Sequence, residues 1–179
     1  SAAIIKMFLR LYKVKRVLFL VDRLELETQA KKEFEEVLKN DFKTVIWKEN
    51  KDDWRRANIV ISTVQSFTRD NKYKRIFKPN SFDLVISDEA HRSLGASSRN
   101  VFEYFIGFKL GLTATPRDFL KSVNEDDMSM TDPKELERRL MLDTYTIFGC
   151  DDGEPTFRYS LLDGVKDGFL INPTVVDVE

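Results

Sequence analysis

Short apolar runs alternate along the chain with longer segments of helical periodicity. The apolar runs cover residues 17–21, 44–47, 58–63, 82–87 and 109–113. Residues 2–11 and 23–39 instead place apolar side chains three or four positions apart, with charged side chains between them. The runs are too short for independent helices and predict buried strands, whereas the longer segments predict amphipathic helices. Strands that alternate with helices predict an α/β domain with a mainly parallel sheet covered by helices.

Polar residues follow four of these predicted strands at the point where each strand ends. They are Asp22, Thr63, Asp88 and Thr113. In parallel sheets of this type, ligands bind just beyond the carboxyl ends of the strands. We therefore expect these four side chains to lie along one rim of the sheet and to include the functional residues.

The last third of the chain has a weaker pattern. Residues 121–133 lack apolar periodicity and predict an exposed acidic loop, at the end of which Asp132 and Pro133 predict the start of a helix. Ser160 and Asp163 resemble a capping box, and Gly168 predicts the end of the short helix that follows. These features divide the chain into a main domain at residues 1–120, the acidic loop, and a helical extension at residues 134–179.

Composition narrows the class of protein. The 179 residues are 42% hydrophobic and 33% charged, with a formal net charge of −1, which excludes a disordered chain and a globally basic nucleic-acid binder. The longest apolar run, residues 17–21, is far shorter than the roughly 20 residues that a membrane helix needs. Cys150 is the only cysteine, so an internal disulfide is excluded and a reducing compartment is favoured. We therefore expect a cytoplasmic protein without a membrane partner.

The apolar run at residues 82–87 leads into two consecutive carboxylates, Asp88 and Glu89, followed by Ala90 and His91, the only histidine of the chain. At such a position the first carboxylate can hold the Mg²⁺ that bridges the β- and γ-phosphates of a nucleotide. The second can position or deprotonate the attacking water. Two unrelated surface acids are the structural alternative, but the pair followed by Ala-His is far more specific. This motif predicts a nucleotide hydrolase.

A second motif follows the next predicted strand. Thr113, Ala114 and Thr115 precede Pro116. Small hydroxyl side chains there can bond both the acidic motif and a mobile second lobe. By itself the sequence also fits a strand that ends in a proline turn.

Together these motifs resemble motifs II and III of superfamily 2 helicases and translocases of the DEAD/DEAH type. Residues 21–29 resemble motif Ia, and residues 62–66 resemble the short Thr-x-Gln motif of the same superfamily. The extension at residues 91–93 and the tail at residues 148–170 resemble the motor (R) subunit of type I restriction enzymes. The resemblance covers nearly the whole chain and implies a RecA-like, P-loop NTPase fold in three layers, with residues 1–120 as most of the first lobe.

The resemblance also implies a role for each matching residue. Asp88 would bind Mg²⁺, Glu89 would be the catalytic carboxylate for ATP, and His91 would link ATP to the second lobe. Thr113, Ala114 and Thr115 would couple hydrolysis to movement. Three residues, namely Arg23, Thr63 and Gln65, would contact the DNA backbone, although Arg23 could merely cap a strand end and Gln65 could merely start a helix. The implied partners are double-stranded DNA and the methylation and specificity subunits of the restriction complex.

One part of such a motor has no match in the sequence. None of the seven glycines stands in the phosphate-binding pattern Gly-x-x-x-x-Gly-Lys-[Ser/Thr]. We therefore expect a lobe that lacks the P-loop strand, with an unpaired position beside the strand that ends in Asp88. Because phosphate binding depends on that loop, we expect the 179-residue chain alone to hydrolyse ATP negligibly.

Two other functions stay open at this point. The chain could be a lobe of another superfamily 2 enzyme, such as a type III restriction subunit or a repair helicase. The tail at residues 148–170 argues for the type I enzymes instead. The chain could also be a non-catalytic module that binds DNA or a partner, but the intact Asp88 and Glu89 argue against a degenerate ATPase.

Overall fold

The computed structural model describes residues 2–11, 13–38, 41–49, 53–92, 96–116, 143–150 and 153–171. The strands are β1 Val17–Val21, β2 Thr44–Ile46, β3 Ile59–Thr63, β4 Leu84–Ser87 and β5 Phe108–Gly111. The helices are α1 Ala2–Arg10, α2 Leu24–Leu38, α3 Val64–Thr68, α4 Lys72–Ile76, α5 Ala96–Tyr104, α6 Thr144–Ile147 and α7 Leu161–Lys166. Short 3-10 turns occur at Asp53–Arg55, Arg69–Asn71 and Ala90–Arg92.

Within the described ranges the strands form one sheet in the order β2-β3-β1-β4-β5, and every neighbouring pair is parallel. Each predicted run overlaps one strand, with bounds that agree within two residues. β1 coincides with its predicted run. The predicted α/β class with a parallel sheet is confirmed.

The sheet is covered by helices on both faces. Alternate residues of the central strands point to opposite faces, so Phe19 and Ile61 join one buried cluster while Leu18 and Val60 join the other. The first cluster packs under α1 and α2, and the second is rich in aromatic rings and packs under α3, α4 and α5. This arrangement is the three-layer fold that the sequence analysis predicts. The layers bury β1, β2, β3 and β4, whereas β5 is exposed or half-buried. Asp88 at the carboxyl rim is half-buried.

The expected unpaired position beside β4 is absent. Hydrogen bonds join β4 to β1 on one side and to β5 on the other. In the described part of the chain β5 therefore forms one edge of the sheet, and Phe108 at its start is 66% exposed. The expectation was wrong because consecutive strands β4 and β5 pair directly.

One arginine fixes the amino end of the sheet. The Arg16 guanidinium donates to the backbone oxygens of Trp54 at 2.8 Å and Ala57 at 3.3 Å. Its carbon atom Cζ lies 4.9 Å from the centroid of the Phe82 ring. The backbone N–H of Arg16 donates to the Asp83 carboxylate at 3.0 Å. These contacts join the segments that precede β1, β3 and β4 at the rim opposite the candidate site.

The carboxyl-terminal part has two short capped helices. The capping box predicted at Ser160 and Asp163 is present, and Gly168 after α7 adopts a left-handed φ of +77° as the predicted helix end requires. At the end of α6 the Phe148 ring packs against Phe102 of α5 with centroids 5.2 Å apart. The predicted acidic loop and the helix predicted at residues 132–133 lie outside the described residues. The predicted division into domains stays a prediction.

Candidate active site

The carboxyl ends of the strands meet at one rim, as predicted. The register pairs Val21 with Thr63 and Ser87 with Gly111. The backbone N–H of Asp88 donates to the Leu20 oxygen at 2.9 Å. The residues that follow β1, β3, β4 and β5 therefore lie at the same edge of the sheet.

The acidic pair lies in a tight turn held by backbone hydrogen bonds on both sides. After β4, the N–H of Ala90 donates to the Leu112 oxygen at 2.8 Å, and the N–H of Leu112 donates to the Ser87 oxygen at 2.9 Å. Glu89 between them adopts a φ of +50°, a left-handed conformation that costs a residue with a Cβ about 1 kcal/mol or more. Strained backbone of this kind is enriched at functional sites, where the surrounding structure imposes it.

Burial is the main cause that raises the pKa of the Asp88 carboxyl above its ordinary value. The hydrogen bond that Asp88 Oδ1 accepts from the Glu89 N–H, at 3.2 Å, lowers this pKa, whereas the neighbouring Glu89 charge raises it. The ionised form of Asp88 is therefore disfavoured by its surroundings. A cation at this carboxylate would offset that cost.

The donor set suits Mg²⁺ bound through a single carboxylate. In the described residues no group of three or more acidic, histidine or cysteine side chains could enclose a metal ion. A cage made only of protein ligands therefore does not fit this part of the chain. Mg²⁺ at nucleotide sites typically keeps several waters and takes one or two carboxylates together with substrate phosphates. Asp88 on the exposed rim fits that pattern.

The histidine joins the acidic motif to the residues after β5. His91 Nδ1 lies 2.7 Å from the Thr113 hydroxyl and 3.3 Å from Glu89 Oε2. The Thr115 hydroxyl lies 3.3 Å from the same nitrogen, and the Thr115 N–H donates to the Thr113 hydroxyl at 3.1 Å. The side chains of Glu89, His91, Thr113 and Thr115 therefore form one polar network, in which Ala114 supplies only the spacing. The Asp88 carboxylate adjoins this network through its bond to the Glu89 N–H.

This network can exist in two hydrogen-bonded arrangements. With a proton on Nδ1, the ring can donate to only one of its oxygen neighbours at a time. Without that proton, the Thr113 hydroxyl can donate to Nδ1 while it accepts from the Thr115 N–H. A change in the position of the Glu89 carboxylate can therefore alter the hydrogen bonds of the segment after β5.

The predicted DNA-contacting residues differ in exposure. Arg23 and Gln65 have exposed side chains beyond β1 and β3, and Arg23 Nε lies 3.6 Å from Asp22 Oδ2. Thr63 is 2% exposed and uses its polar groups internally. Its hydroxyl caps α3 by accepting from the Ser66 N–H at 3.2 Å. A direct contact of Thr63 with DNA is therefore not available in this conformation, because the side chain is buried as a helix cap.

Sequence reasoning did not identify Glu27, which is 4% exposed. Its Oε1 accepts from the Thr63 N–H at 2.6 Å. Glu27 stands three residues before Ala30 and seven before Phe34, both on the buried face of α2. The helical spacing of Glu27 to Ala30 and Phe34 was the sequence signal that could have identified Glu27, because it places a carboxylate on the apolar face of α2.

The chain matches a protein family and known relatives along most of its length. The profile of the family described as type III restriction enzyme, res subunit, matches residues 1–118. The chain is 31% identical, over 92% of its length, to the type I restriction enzyme EcoAI endonuclease subunit of Escherichia coli. It is 28% identical, over 88% of its length, to the EcoKI endonuclease subunit of E. coli strain K12. It spans 18% and 13% of these two relatives.

A solved structure shares the fold. The helicase domain of Pyrococcus furiosus Hef superposes with a TM-score of 0.54 at 18% identity, over 82% of this chain and 31% of that one. The RecA-like fold class is therefore confirmed. Within the described helices, none is long and apolar enough to cross a bilayer.

Proposed function

The chain belongs to the family described as type III restriction enzyme, res subunit, and we propose that it is most of the first RecA-like lobe of a type I restriction motor subunit. In this proposal residues 1–120 form the lobe, and residues 134–179 extend from it towards a second lobe. The motor couples ATP hydrolysis to movement along double-stranded DNA before cleavage. It acts in the cytoplasm with methylation and specificity subunits.

The observation that carries the proposal is the network at the rim. His91 contacts both Glu89, which follows the proposed metal ligand Asp88 in sequence, and Thr113 after the adjacent strand. A purely structural pair of surface acids would not require a strained backbone at Glu89 and a histidine bonded to two motifs. A motor needs such a connection, because a change at the nucleotide must reach residues that move.

The residues would divide the chemistry between them. Mg²⁺ bound at Asp88 would neutralise charge on the β- and γ-phosphates. Glu89 would orient the attacking water and accept its proton. When Glu89 moves, the hydrogen bonds of His91 would change, and with them those of Thr113 and Thr115 after β5. Arg23 and Gln65 on the same rim would contact DNA phosphates, which suits movement along any sequence.

The span of the sequence matches favours a type I enzyme. The family profile ends at residue 118, before the tail. The two type I relatives instead align over 92% and 88% of the chain, which must include residues after 118. The family description itself favours the alternative, a type III restriction subunit, which would use the same lobe for the same ATP chemistry.

Phosphate binding requires a further element in this proposal. The sequence holds no Gly-x-x-x-x-Gly-Lys-[Ser/Thr] loop. Among the described residues no strand pairs with the outer edge of β5, where Phe108 is 66% exposed, so this edge offers backbone groups to another strand. A strand added there would end at the same rim as Asp88, so we propose this edge as the position of the strand that carries the loop.

The test uses the complete subunit that contains this chain. We expect Glu89→Gln to reduce DNA-stimulated ATP hydrolysis at least 100-fold, the scale of lost acid–base catalysis, while ATP still binds. Glu49→Gln is the matched control, because Glu49 is also a rim carboxylate just after a strand and its partner Lys31 lies outside the network. Translocation is monitored by the displacement of a third DNA strand from a triplex. Unchanged ATP hydrolysis in Glu89→Gln would reject the assignment.

A further inference from the structure

Glu27 is a buried carboxylate that joins three segments at the rim. Its Oε1 accepts from the backbone N–H of Thr63, at the end of β3, at 2.6 Å. Its Oε2 lies 3.8 Å from the ammonium of Lys48, just after β2. Glu27 itself lies in the first turn of α2, which follows β1. One side chain therefore connects the carboxyl ends of three neighbouring strands.

The bond to Thr63 fixes the start of α3. Thr63 is the residue before this helix, and its hydroxyl both accepts from the Ser66 N–H and donates to the Ser66 hydroxyl at 2.7 Å. The backbone N–H of Thr63 therefore bonds back to Glu27 in α2, while the Thr63 side chain bonds forward to Ser66 in α3. The two bonds hold the junction between β3 and α3 from both sides. Gln65, in the first turn of α3, is exposed next to this cap.

We infer that Glu27 is a positioning residue for DNA binding, which acts through Thr63 to orient Gln65 at the rim. The inference rests on the proposed function, in which Gln65 contacts DNA phosphates. A buried carboxylate is costly unless its hydrogen bonds compensate for lost hydration. Because the Glu27 acceptor oxygen reaches the Thr63 N–H at 2.6 Å, Glu27 can hold the α3 junction in place, whereas a side chain too short to reach this N–H would not.

Two conservative variants, made in the complete subunit, separate the effect of the length of the Glu27 side chain from the effect of its charge. Glu27→Asp keeps the charge but shortens the side chain by one methylene, so its carboxylate no longer reaches the Thr63 N–H. Glu27→Gln keeps the length and an acceptor oxygen but loses the charge. Glu33→Gln removes one charge from an exposed position of the same helix and is the control for charge alone.

The affinity for a fluorescent DNA duplex is measured by anisotropy at fixed salt concentration. We expect Glu27→Asp to raise the Kd about tenfold, the scale of one lost positioning hydrogen bond, and Glu27→Gln to raise it less than threefold. The DNA concentration for half-maximal ATP hydrolysis should rise in parallel, while kcat at saturating DNA changes less than twofold. A purely electrostatic role predicts the reverse order, with tighter binding in Glu27→Gln and no change in Glu27→Asp.

Hydrogen exchange and further variants distinguish the possible failures. Without DNA, hydrogen exchange in residues 62–68 should be faster in Glu27→Asp than in the wild type, and equal exchange overturns the inference. If Gln65→Ala weakens DNA binding but Glu27→Asp does not, the positioning role is wrong and the proposed function survives. If neither Gln65→Ala nor Arg23→Ala weakens binding, the proposed DNA contact is wrong and the inference falls with it.

The double variant Glu27→Asp with Gln65→Ala tests whether the two residues act together. It should lose less binding free energy than the sum of the losses in the two single variants.

Discussion

The approach of β5 to the segment before β4 leaves no room for a side chain at Gly107. A Cβ there would lie 2.6 Å from both the carbonyl carbon and the carbonyl oxygen of Asp83, and closer still to the Phe82 oxygen. These are backbone atoms, and the same Asp83 oxygen accepts from the Phe108 N–H at 2.8 Å. Gly107→Ala therefore requires β5 and the segment before β4 to move apart.

The size of the effect follows from the kind of atom that obstructs the Cβ. Overpacking costs about 1–3 kcal/mol, and the upper end, about 3 kcal/mol, is expected where backbone must shift. A loss of 1 kcal/mol lowers the Tm of a chain of this size by roughly 2–4 °C. We therefore expect Gly107→Ala to lower the Tm by about 6–12 °C.

Gly111, the last residue of β5, is the matched control for Gly107, which directly precedes this strand. A Cβ at Gly111 would lie 2.7 to 2.9 Å from ring atoms of Phe148, a side chain that can shift. Both variants change the unfolded chain in the same way, so their difference reports the folded state. Thermal unfolding followed by circular dichroism should show the larger loss for Gly107→Ala. Equal losses, or a Tm of Gly107→Ala within 2 °C of the wild type, would refute the reasoning.

Two further predictions concern stability. Arg16→Ala should lower the free energy of unfolding, measured in urea, by about 2 kcal/mol, because it removes two charged hydrogen bonds and the contact with Phe82. Arg16→Lys should restore less than half of this loss. An unchanged free energy of unfolding in Arg16→Ala would contradict the prediction. Asp88→Asn, measured with a chelator, should raise the Tm at pH 7. Burial raises the pKa of Asp88 in the folded protein above its ordinary value of about 3.9. The stability of the wild type therefore falls as the pH rises from the ordinary pKa through the folded pKa. Below the ordinary pKa the difference in Tm between Asp88→Asn and the wild type should vanish.

The buried strands were predictable because their sequence pattern and their environment agree. β1 coincides with an uninterrupted apolar run, and all five of its residues are buried. The rim was predictable for the same reason, since a polar residue ends or directly follows four of the five runs. From these ends it was possible to expect Asp88 and Thr113 on one rim before any contact was known.

Contacts between residues distant in sequence were not predictable. Thr63 matched a motif, but its burial depends on Glu27, 36 positions earlier, and on the cap of α3. The pairing of β4 with β5 depends on close approach at Gly107, which the apolar pattern does not report. Local periodicity identifies which face is buried, whereas these features depend on which segments meet.

The structure combines a fixed backbone with adjustable side chains at the candidate site. Backbone bonds from Asp88 to Leu20 and from Ala90 to Leu112 fix the acidic turn between β1 and β5. The Glu89 side chain is 44% exposed, and its contact with His91 is a single polar contact that can be exchanged. Changes at a bound nucleotide can therefore alter this network at little cost to the fold. If so, variants of Gly107 should affect chiefly stability, whereas variants of Glu89 should affect chiefly ATP hydrolysis, so the two kinds of defect should separate experimentally.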